Sequence, residues 1–267
     1  MTDNDKSDNS IIFDVPLIQE WLEEAGSIAL GYFQKCGHIY KIDQTPVTEA
    51  DKAVEQFLVD KIQRTFPKHG IIAEEQTTIS GDEYTWVIDP IDGTTAFIMG
   101  VPTWCIAIGI LKQNKPYFGI VYLPVTKELY YAYSNGEAFW NNQTIHLRED
   151  LSINNRSILC ISTYSFQSQY FFFPGRVFSF GSGIYQHLLV ARGAAIASIT
   201  LRPKIWDLAA VFPILNAIGG SIQYLSGNKV YCNDLLSGQI NEQPILVGDV
   251  HIISKLTEMI IEHETYS

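Results

Sequence analysis

The chain has 267 residues, of which 46% are hydrophobic and 18% are charged, so it is long enough for one large or two modest globular cores. Its formal net charge of −11 argues against a nucleic-acid-binding surface, because such a surface needs a clustered excess of lysine and arginine. The first ten residues are polar and acidic and lack the pattern of a secretory signal, and the most apolar stretch, 101–111, is too short to span a bilayer. We therefore expect a disordered N-terminus over residues 1–10, a cytoplasmic location, and no membrane or nucleic-acid partner.

The cysteines support the same location. The chain has four, and they are widely spaced without a C-x-x-C pair, so they predict neither a zinc motif nor a redox motif. Buried free thiols in a reducing compartment are the interpretation that we favour.

Two amphipathic helices are predicted at the start of the chain. Apolar residues recur at helical spacing over 14–35. A second helix is predicted over 49–66, with Thr48 as its N-cap and Asp51, three residues later, as a capping-box partner. The apolar run 71–73 then predicts a short buried strand that ends at two glutamates.

The most informative stretch is 86–97, where an apolar, β-rich run stops at Asp89 and Asp92. Pro and Gly residues end strands, so Asp89 is expected at the carboxyl end of a strand, and Gly93 allows a ligand to approach the backbone closely. Carboxylates in this arrangement bind hard cations, and the amides that follow Gly93, at the start of a short helix, would bind an anion. The alternative is an Asp-rich turn without a ligand.

The rest of the chain predicts layered sheets and helices. Three strand-like runs indicate an antiparallel meander, over 105–111, 117–122 and 129–133. The polar stretch 141–156 is the candidate boundary between two sub-domains. Beyond it, strands and helices alternate, with helices over 183–192, after Trp206 and over 251–262. Pro213 lies inside the helix after Trp206 and is expected to bend it.

Four acidic elements suggest a metal centre when they are taken together. Each has a structural explanation by itself: Asp51 as a helix cap, Glu74 and Glu75 as the solvated start of a loop, and Asp207 as an acid that complements a helix dipole. Combined with Asp89 and Asp92, they supply oxygen ligands without thiolate or imidazole, which favours magnesium or manganese over zinc.

The motifs that carry these acids resemble the inositol monophosphatase family, a family of magnesium-dependent, lithium-sensitive phosphatases. The resemblance covers nearly the whole chain, and its parts appear in family order: Val-Thr-Glu-Ala-Asp at 47–51, Ile-Ala-Glu-Glu at 72–75, the stretch 89–97, Trp-Asp-Leu-Ala-Ala at 206–210 and Gly-Gly at 219–220. It implies a mixed α/β (α+β) fold, a layered α-β-α-β-α sandwich of the sugar-phosphatase type. Its two sub-domains would be 11–145, with most metal ligands, and 155–264, with Asp207 and the substrate side. It also implies a homodimer.

The same resemblance assigns metal ligands. Glu74, Asp89 and the Ile91 carbonyl would hold one ion, whereas Asp89, Asp92 and Asp207 would hold a second. A third, weaker ion would depend on Glu74. The resemblance thus implies two to three Mg²⁺ ions, with Mn²⁺ as a substitute and Li⁺ as an inhibitor.

Catalytic roles follow from the resemblance in the same way. Thr94, hydrogen-bonded to Asp51, would orient and help to deprotonate the attacking water, with Glu74 as a further catalytic residue. The amides of Gly93 and Thr94 would bind phosphate oxygens. Lys41 resembles a family lysine near the metals.

The substrate side is where the chain departs from the family. Ser182 and Gly183 resemble the segment that lines the substrate, although a Ser-Gly turn with an N-cap would look the same. Thr200 stands where family members that act on inositol phosphate place a glutamate, and Ala96 stands where the family usually has asparagine. Lys204 would meet a second anionic group or be a solvated loop lysine.

These observations predict a Mg²⁺-dependent phosphomonoesterase that acts on a small, inositol-1-phosphate-like metabolite through metal-activated water. Fructose 1,6-bisphosphate, 3'-phosphoadenosine 5'-phosphate and histidinol phosphate are the alternative substrates. A catalytically quiet family member with a regulatory or binding role is the alternative from another class. The sequence leaves open the physiological ester, the degree of lithium sensitivity and the oligomeric state.

Overall fold

The structure is a computed structural model that describes residues 12–35, 37–40, 46–75, 77–148, 152–162, 172–236 and 243–266. Two predictions lie outside these ranges: the disordered segment 1–10, and Lys41 as the counterpart of a family lysine near the metals. The helices are α1 (Val15–Tyr32), α2 (Glu49–Thr65), α3 (Thr94–Met99), α4 (Gly183–Ala191), α5 (Ile205–Ala209), α6 (Val211–Ala217), α7 (Cys232–Leu236) and α8 (Val250–Tyr266). The strands are β1 (His38–Tyr40), β2 (Pro46–Thr48), β3 (Gly70–Ala73), β4 (Thr78–Ile79), β5 (Tyr84–Asp92), β6 (Cys105–Lys112), β7 (Lys115–Leu123), β8 (Glu128–Tyr133), β9 (Ala138–Trp140), β10 (Gln143–Ile145), β11 (Ile158–Ile161), β12 (Arg176–Phe178), β13 (Ala197–Thr200), β14 (Ser221–Tyr224) and β15 (Ile245–Gly248).

Two large sheets organise the described part of the chain. The first has eight strands in the order β10-β9-β8-β7-β6-β5-β3-β4, and β3 and β5 form its parallel pair. Strands β6, β7 and β8 run antiparallel, which confirms the predicted meander. The second sheet has five strands in the order β12-β11-β13-β15-β14. The first sheet ends at Ile145 and the second begins at Ile158 in the sequence.

The helices and sheets alternate in five layers. Helices α1 and α2 cover one face of the first sheet, where they pack on Ile106, Ile108 and Ile110 of β6. Alternate residues of the same strand, including Ala107, face a second core formed with α4, α5, α6 and the second sheet. Helix α8 covers the far face of that sheet. The predicted α-β-α-β-α sandwich is therefore confirmed.

The N-terminus of α2 follows from its sequence. Thr48 Oγ1 accepts a hydrogen bond from the Ala50 amide at 3.1 Å, and Asp51 Oδ2 accepts one from the Thr48 amide at 2.7 Å. This reciprocal capping satisfies amides that have no partner inside the helix. It also fixes Asp51, which is fully buried, at the first turn.

Pro213 interrupts its helix more strongly than a bend would. The segment after Trp206 forms two helices, and the first of them, α5, ends at Ala209, four residues before the proline. A proline ring crowds the carbonyl four residues earlier and provides no N–H to bond it, so the break falls where these two effects act.

The helix break lies directly against the first sheet. A Cβ atom at Gly109 of β6 would come within 2.4 Å of the Ala209 carbonyl carbon, and one at Gly119 of β7 within 2.1 Å of the Ala210 oxygen. Only residues without a side chain permit this approach, which lets the end of α5 pack directly on β6 and β7.

Among the described residues, no helix combines the length and the apolar composition needed to cross a bilayer.

Candidate metal centre

The parallel pair of strands brings two acidic segments together. The carboxyl ends of β3 and β5 meet at one edge, where the Glu74 amide donates to the Ile88 carbonyl at 3.2 Å, next to Asp89. Strand β5 is longer than predicted and continues to Asp92, with a shift in its register to β6 between the two aspartates. Pro90 stands at this bulge, which is one of the few positions where a sheet accepts proline.

The turn after β5 leads into the short helix α3. Gly93 begins it with a φ of +90°, and a Cβ there would lie 2.7 Å from Ser182 Cβ. The Thr94 hydroxyl oxygen lies 3.3 Å from Asp51 Oδ1 and 3.1 Å from the Ile91 carbonyl. Asp51 and Thr94 are thus in contact, as the sequence analysis expected.

Asp207 reaches the same place from the other half of the chain. It lies in the first turn of α5, where its Oδ2 accepts a hydrogen bond from the Lys204 amide at 2.5 Å. Carboxylate oxygens of Asp89, Asp92 and Asp207 all lie within 4.8 Å of one another. Two acids of one short motif and a third acid from far along the chain therefore converge on one point.

Asp92 joins the two halves through hydrogen bonds. It accepts bonds from the Ser182 hydroxyl, from the Ile184 amide at 2.8 Å and from the Gly183 amide at 3.3 Å. The Ser182 hydroxyl also accepts a bond from the Tyr185 amide, so Ser182 is the N-cap of α4 as well as a neighbour of the acid.

Cys105 is a contact that the sequence analysis missed. Its Sγ lies 3.7 Å from Asp92 Oδ2, and the residue is fully buried. No local signal in the sequence identified this contact, because Cys105 meets Asp92 only through the pairing of β5 with β6.

The converging acids line a pocket of about 220 Å³. Its lining consists of Pro46, Glu74, Asp89, Ile91, Asp92, Gly93, Thr94, Thr95, Gly181 and Asp207. Of the residues expected on the substrate side, Ser182 and Gly183 lie directly behind Asp92. Thr200 is buried on β13 and Lys204 is exposed before α5, and neither lines this pocket.

The electrostatics of the pocket are those of crowded, buried acids. Burial raises the pKa of Asp89 well above its ordinary value, and the charges of Glu74, Asp92 and Asp207 raise it further. Burial also raises the pKa of Asp92, although the bonds from Ser182 and the α4 backbone oppose this. The pKa of Asp207 rises to about 8, mainly through burial and then through Asp92.

These residues fit a divalent cation. Asp89 Oδ1 is buried and has no hydrogen-bond partner in the described part of the chain. None of the described residues that line the pocket is positively charged. A buried carboxylate needs a partner, and a cage made of oxygen donors alone suits a hard ion such as Mg²⁺.

The crowding predicts how the stability of the metal-free protein depends on pH. A carboxyl whose pKa is raised on folding, such as Asp207 with its shift from 3.8 to about 8, binds its proton more tightly in the folded state. The free energy of unfolding should therefore fall as the pH rises from about 4 to about 8. Thermal unfolding in EDTA should give a lower Tm at pH 8 than at about pH 5.5.

A divalent cation should reverse this loss, because it binds the ionised carboxylates of the folded state. Mg²⁺ or Mn²⁺ should accordingly raise Tm more at pH 8 than at about pH 5.5. The Asp207→Asn variant is the matched control and should show a weaker dependence on pH. A Tm in EDTA that rises between these two pH values would contradict the argument.

The turn that carries Glu74 is also hydrogen-bonded to a residue of α2 that the sequence analysis missed. Glu55 of α2 is only 4% exposed, and its carboxylate accepts hydrogen bonds from the Glu75 amide at 2.7 Å and from the Thr77 amide at 3.1 Å. The signal was the helical period, which places Glu55 on the buried face of α2 with Val54 and Leu58.

A five-layered α/β fold with an oxygen-donor cage beside a glycine turn and a helix N-terminus has the parts of a metal-dependent phosphatase. The family model described as "Inositol monophosphatase family" matches residues 15–263, and the chain belongs to this family. The family consists of phosphatases, so the predicted resemblance and the predicted enzyme class are confirmed.

Individual relatives carry different names. The chain is 33% identical over 223 residues to a histidinol-phosphatase of Chlorobaculum parvum, which covers 78% of this chain and 84% of that protein. It is 32% identical over 225 residues to the inositol-1-monophosphatase of Bacillus subtilis, which covers 79% and 85%. The solved structure of an IMPase from Thermotoga maritima superimposes with a TM-score of 0.80 over 93% of this chain and 96% of that one, and its 22% identity makes it evidence for the fold alone.

Proposed function

We propose that the protein is a Mg²⁺-dependent phosphomonoesterase that releases inorganic phosphate from a small, inositol-1-phosphate-like metabolite. The observation that carries the proposal is the convergence of Asp89, Asp92 and Asp207 within 4.8 Å, in a pocket that Glu74 also lines. A phosphate dianion enters such an acidic pocket only when cations offset its charge, so cation and substrate sites belong together.

Two sets of ligands are assigned to the cations. Glu74, Asp89 and the Ile91 carbonyl would hold one ion, and Asp89, Asp92 and Asp207 would hold the second. A third ion would depend on Glu74. When bound, such ions lower the pKa of water and screen the charge of the phosphate.

The chain's own groups orient the reactants. The Thr94 hydroxyl can donate its proton to Asp51, which leaves the oxygen free to accept a bond from the attacking water. Glu74 borders the same pocket. The first amides of a helix have no intrahelical partner, so those of Gly93 and Thr94 are available for phosphate oxygens.

The residues that would contact the alcohol part of the substrate are less clearly defined than those that would bind the phosphate. Ser182 and Gly183 stand beside Asp92, and we assign them to the substrate boundary. We also assign Thr200 to this side by resemblance and Lys204 by its charge, although both lie outside the pocket lining. The exposed Lys204 would favour a substrate with a second anionic group, such as fructose 1,6-bisphosphate.

Phosphate release from four compounds tests the proposal. Inositol 1-phosphate, fructose 1,6-bisphosphate, 3'-phosphoadenosine 5'-phosphate and histidinol phosphate should be compared with Mg²⁺ and with EDTA. We expect a Mg²⁺-dependent preference for inositol 1-phosphate and loss of release in EDTA. Preference for another compound would reassign the substrate, whereas no release from any of them would support the catalytically quiet alternative.

The remaining assignments concern ions, assembly and location. Substitution by Mn²⁺, inhibition by Li⁺ and a homodimer follow from the family resemblance. The free thiols of Cys105, Cys160 and Cys232 are buried, which supports a reducing compartment such as the cytoplasm.

A further inference from the structure

The turn between β3 and β4 is attached to α2 by the carboxylate of Glu55. Its Oε2 accepts a hydrogen bond from the Glu75 amide at 2.7 Å. Its Oε1 accepts bonds from the Thr77 amide at 3.1 Å and from the Thr77 hydroxyl at 2.8 Å. One buried side chain thus contacts the turn on the far side of Glu74 at two residues.

Two backbone hydrogen bonds also hold the described residues of the turn. The Glu74 amide donates to the Ile88 carbonyl at 3.2 Å, and the Ala73 amide donates to the Thr77 carbonyl at 2.8 Å. These bonds close the turn but leave the Glu75 and Thr77 amides to Glu55. Bonds from backbone amides to a carboxylate are stronger than those to a neutral acceptor, so Glu55 restricts the direction in which the turn leaves β3.

Helix α2 contacts the site at two points one turn apart. Asp51 and Glu55 are four residues apart, share one face of the helix and are both buried. Asp51 contacts Thr94 beside the proposed phosphate position, whereas Glu55 contacts the turn that carries Glu74. The helix therefore fixes the distance between these two parts of the pocket.

We propose that Glu55 is a positioning residue that holds Glu74 in place for its cation. The inference rests on the proposed function, in which Glu74 is a metal ligand. Replacing a group that orients a metal ligand through a hydrogen bond typically lowers metal affinity by about 10- to 100-fold. Glu55 acts through the backbone of the turn and is not among the residues that line the pocket.

The Glu55→Gln variant tests this role. A glutamine has one acceptor oxygen in place of two, so either the Glu75 amide or the Thr77 amide loses its partner. Mn²⁺ binding to the substrate-free protein, measured by calorimetry, should weaken by about 10- to 100-fold. The control is Glu49→Gln, the same change at an exposed position of α2 that pairs only with Lys52 among the described residues. It should bind Mn²⁺ like the unmodified protein.

A double-mutant cycle distinguishes positioning from general damage. If Glu55 acts through Glu74, the Glu55→Gln and Glu74→Gln double variant should bind Mn²⁺ no more weakly than Glu74→Gln alone. Thr77→Val gives a milder test because it removes only the hydroxyl bond to Glu55, and we expect a loss of about 2- to 10-fold. Thr77→Val carries the test if Glu55→Gln does not fold, as judged by circular dichroism in EDTA.

The outcomes separate this inference from the proposed function. If Glu74→Gln leaves Mn²⁺ binding unchanged, Glu74 is not a ligand and the proposed site is wrong. If Glu74→Gln weakens binding while Glu55→Gln and Thr77→Val do not, the site stands and the positioning role is overturned. Additive losses in the double variant would overturn it as well.

Discussion

The Asp89→Asn variant should lose measurable phosphatase activity while its metal-free form becomes more stable. Asp89 is assigned to both principal cations, and metal ligation contributes several kcal/mol to the stabilisation of a transition state. We therefore expect kcat/KM to fall by at least about 10³-fold. In the metal-free protein the same carboxylate destabilises the folded state, since it is 1% exposed and is surrounded by Glu74, Asp92 and Asp207.

Removing this charge should raise Tm in EDTA at pH 8 by several degrees, at about 2 to 4 °C for each kcal/mol of relieved repulsion. Asp60→Asn is the matched control, because Asp60 lies on α2 away from the pocket and bonds to Gln56. It should change neither Tm nor the rate. A lower Tm for Asp89→Asn in EDTA would show that the repulsion is unimportant, and normal turnover would remove Asp89 from the site.

The Asp92→Asn variant should lose activity to a similar degree, with the opposite effect on stability. Turnover should fall by orders of magnitude because a ligand of the second cation is gone. Unlike Asp89, however, the Asp92 carboxylate is bonded by Ser182 and by two amides at the start of α4. An asparagine offers one acceptor oxygen there and adds a donor that faces other donors.

The metal-free Asp92→Asn protein should therefore be less stable by about 1 to 3 kcal/mol, the cost of leaving buried donors unsatisfied. Urea unfolding in EDTA, compared between Asp92→Asn and Asp89→Asn, measures the contrast directly. Equal shifts of the same sign in the two variants would mean that the bonds to α4 have no energetic role.

Much of the fold could be predicted because its signals are local. The helical period and the cap at Thr48 predict α2, and the strand-like runs separated by turn residues predict the meander from β6 to β8. The bulge between Asp89 and Asp92 could not be predicted, since it depends on the register with β6. The interruption at Pro213 was expected as a bend, and only the two separate helices show its full extent.

The same distinction between local signals and long-range contacts applies to the candidate site. Asp89 and Asp92 belong to one short motif, so their proximity follows from the sequence near them. The bonds from Ser182 to Asp92 and from Thr77 to Glu55 join residues 90 and 22 positions apart, and they exist only after the elements have packed. A sequence pattern identifies the acids but does not identify the groups that orient them.

The absence of side chains at Gly109 and Gly119 has a consequence for ion affinity. Ala209 and Ala210 rest on these two glycines, and Asp207 lies two residues before Ala209. One added methyl group on either strand would push against the end of α5 and, through this short helix, move Asp207 away from the acids of β5. At the proposed cation site, variation at these two chemically inert positions would therefore change how tightly ions are held, so a comparison of natural relatives should include the sheet surface beneath the helix.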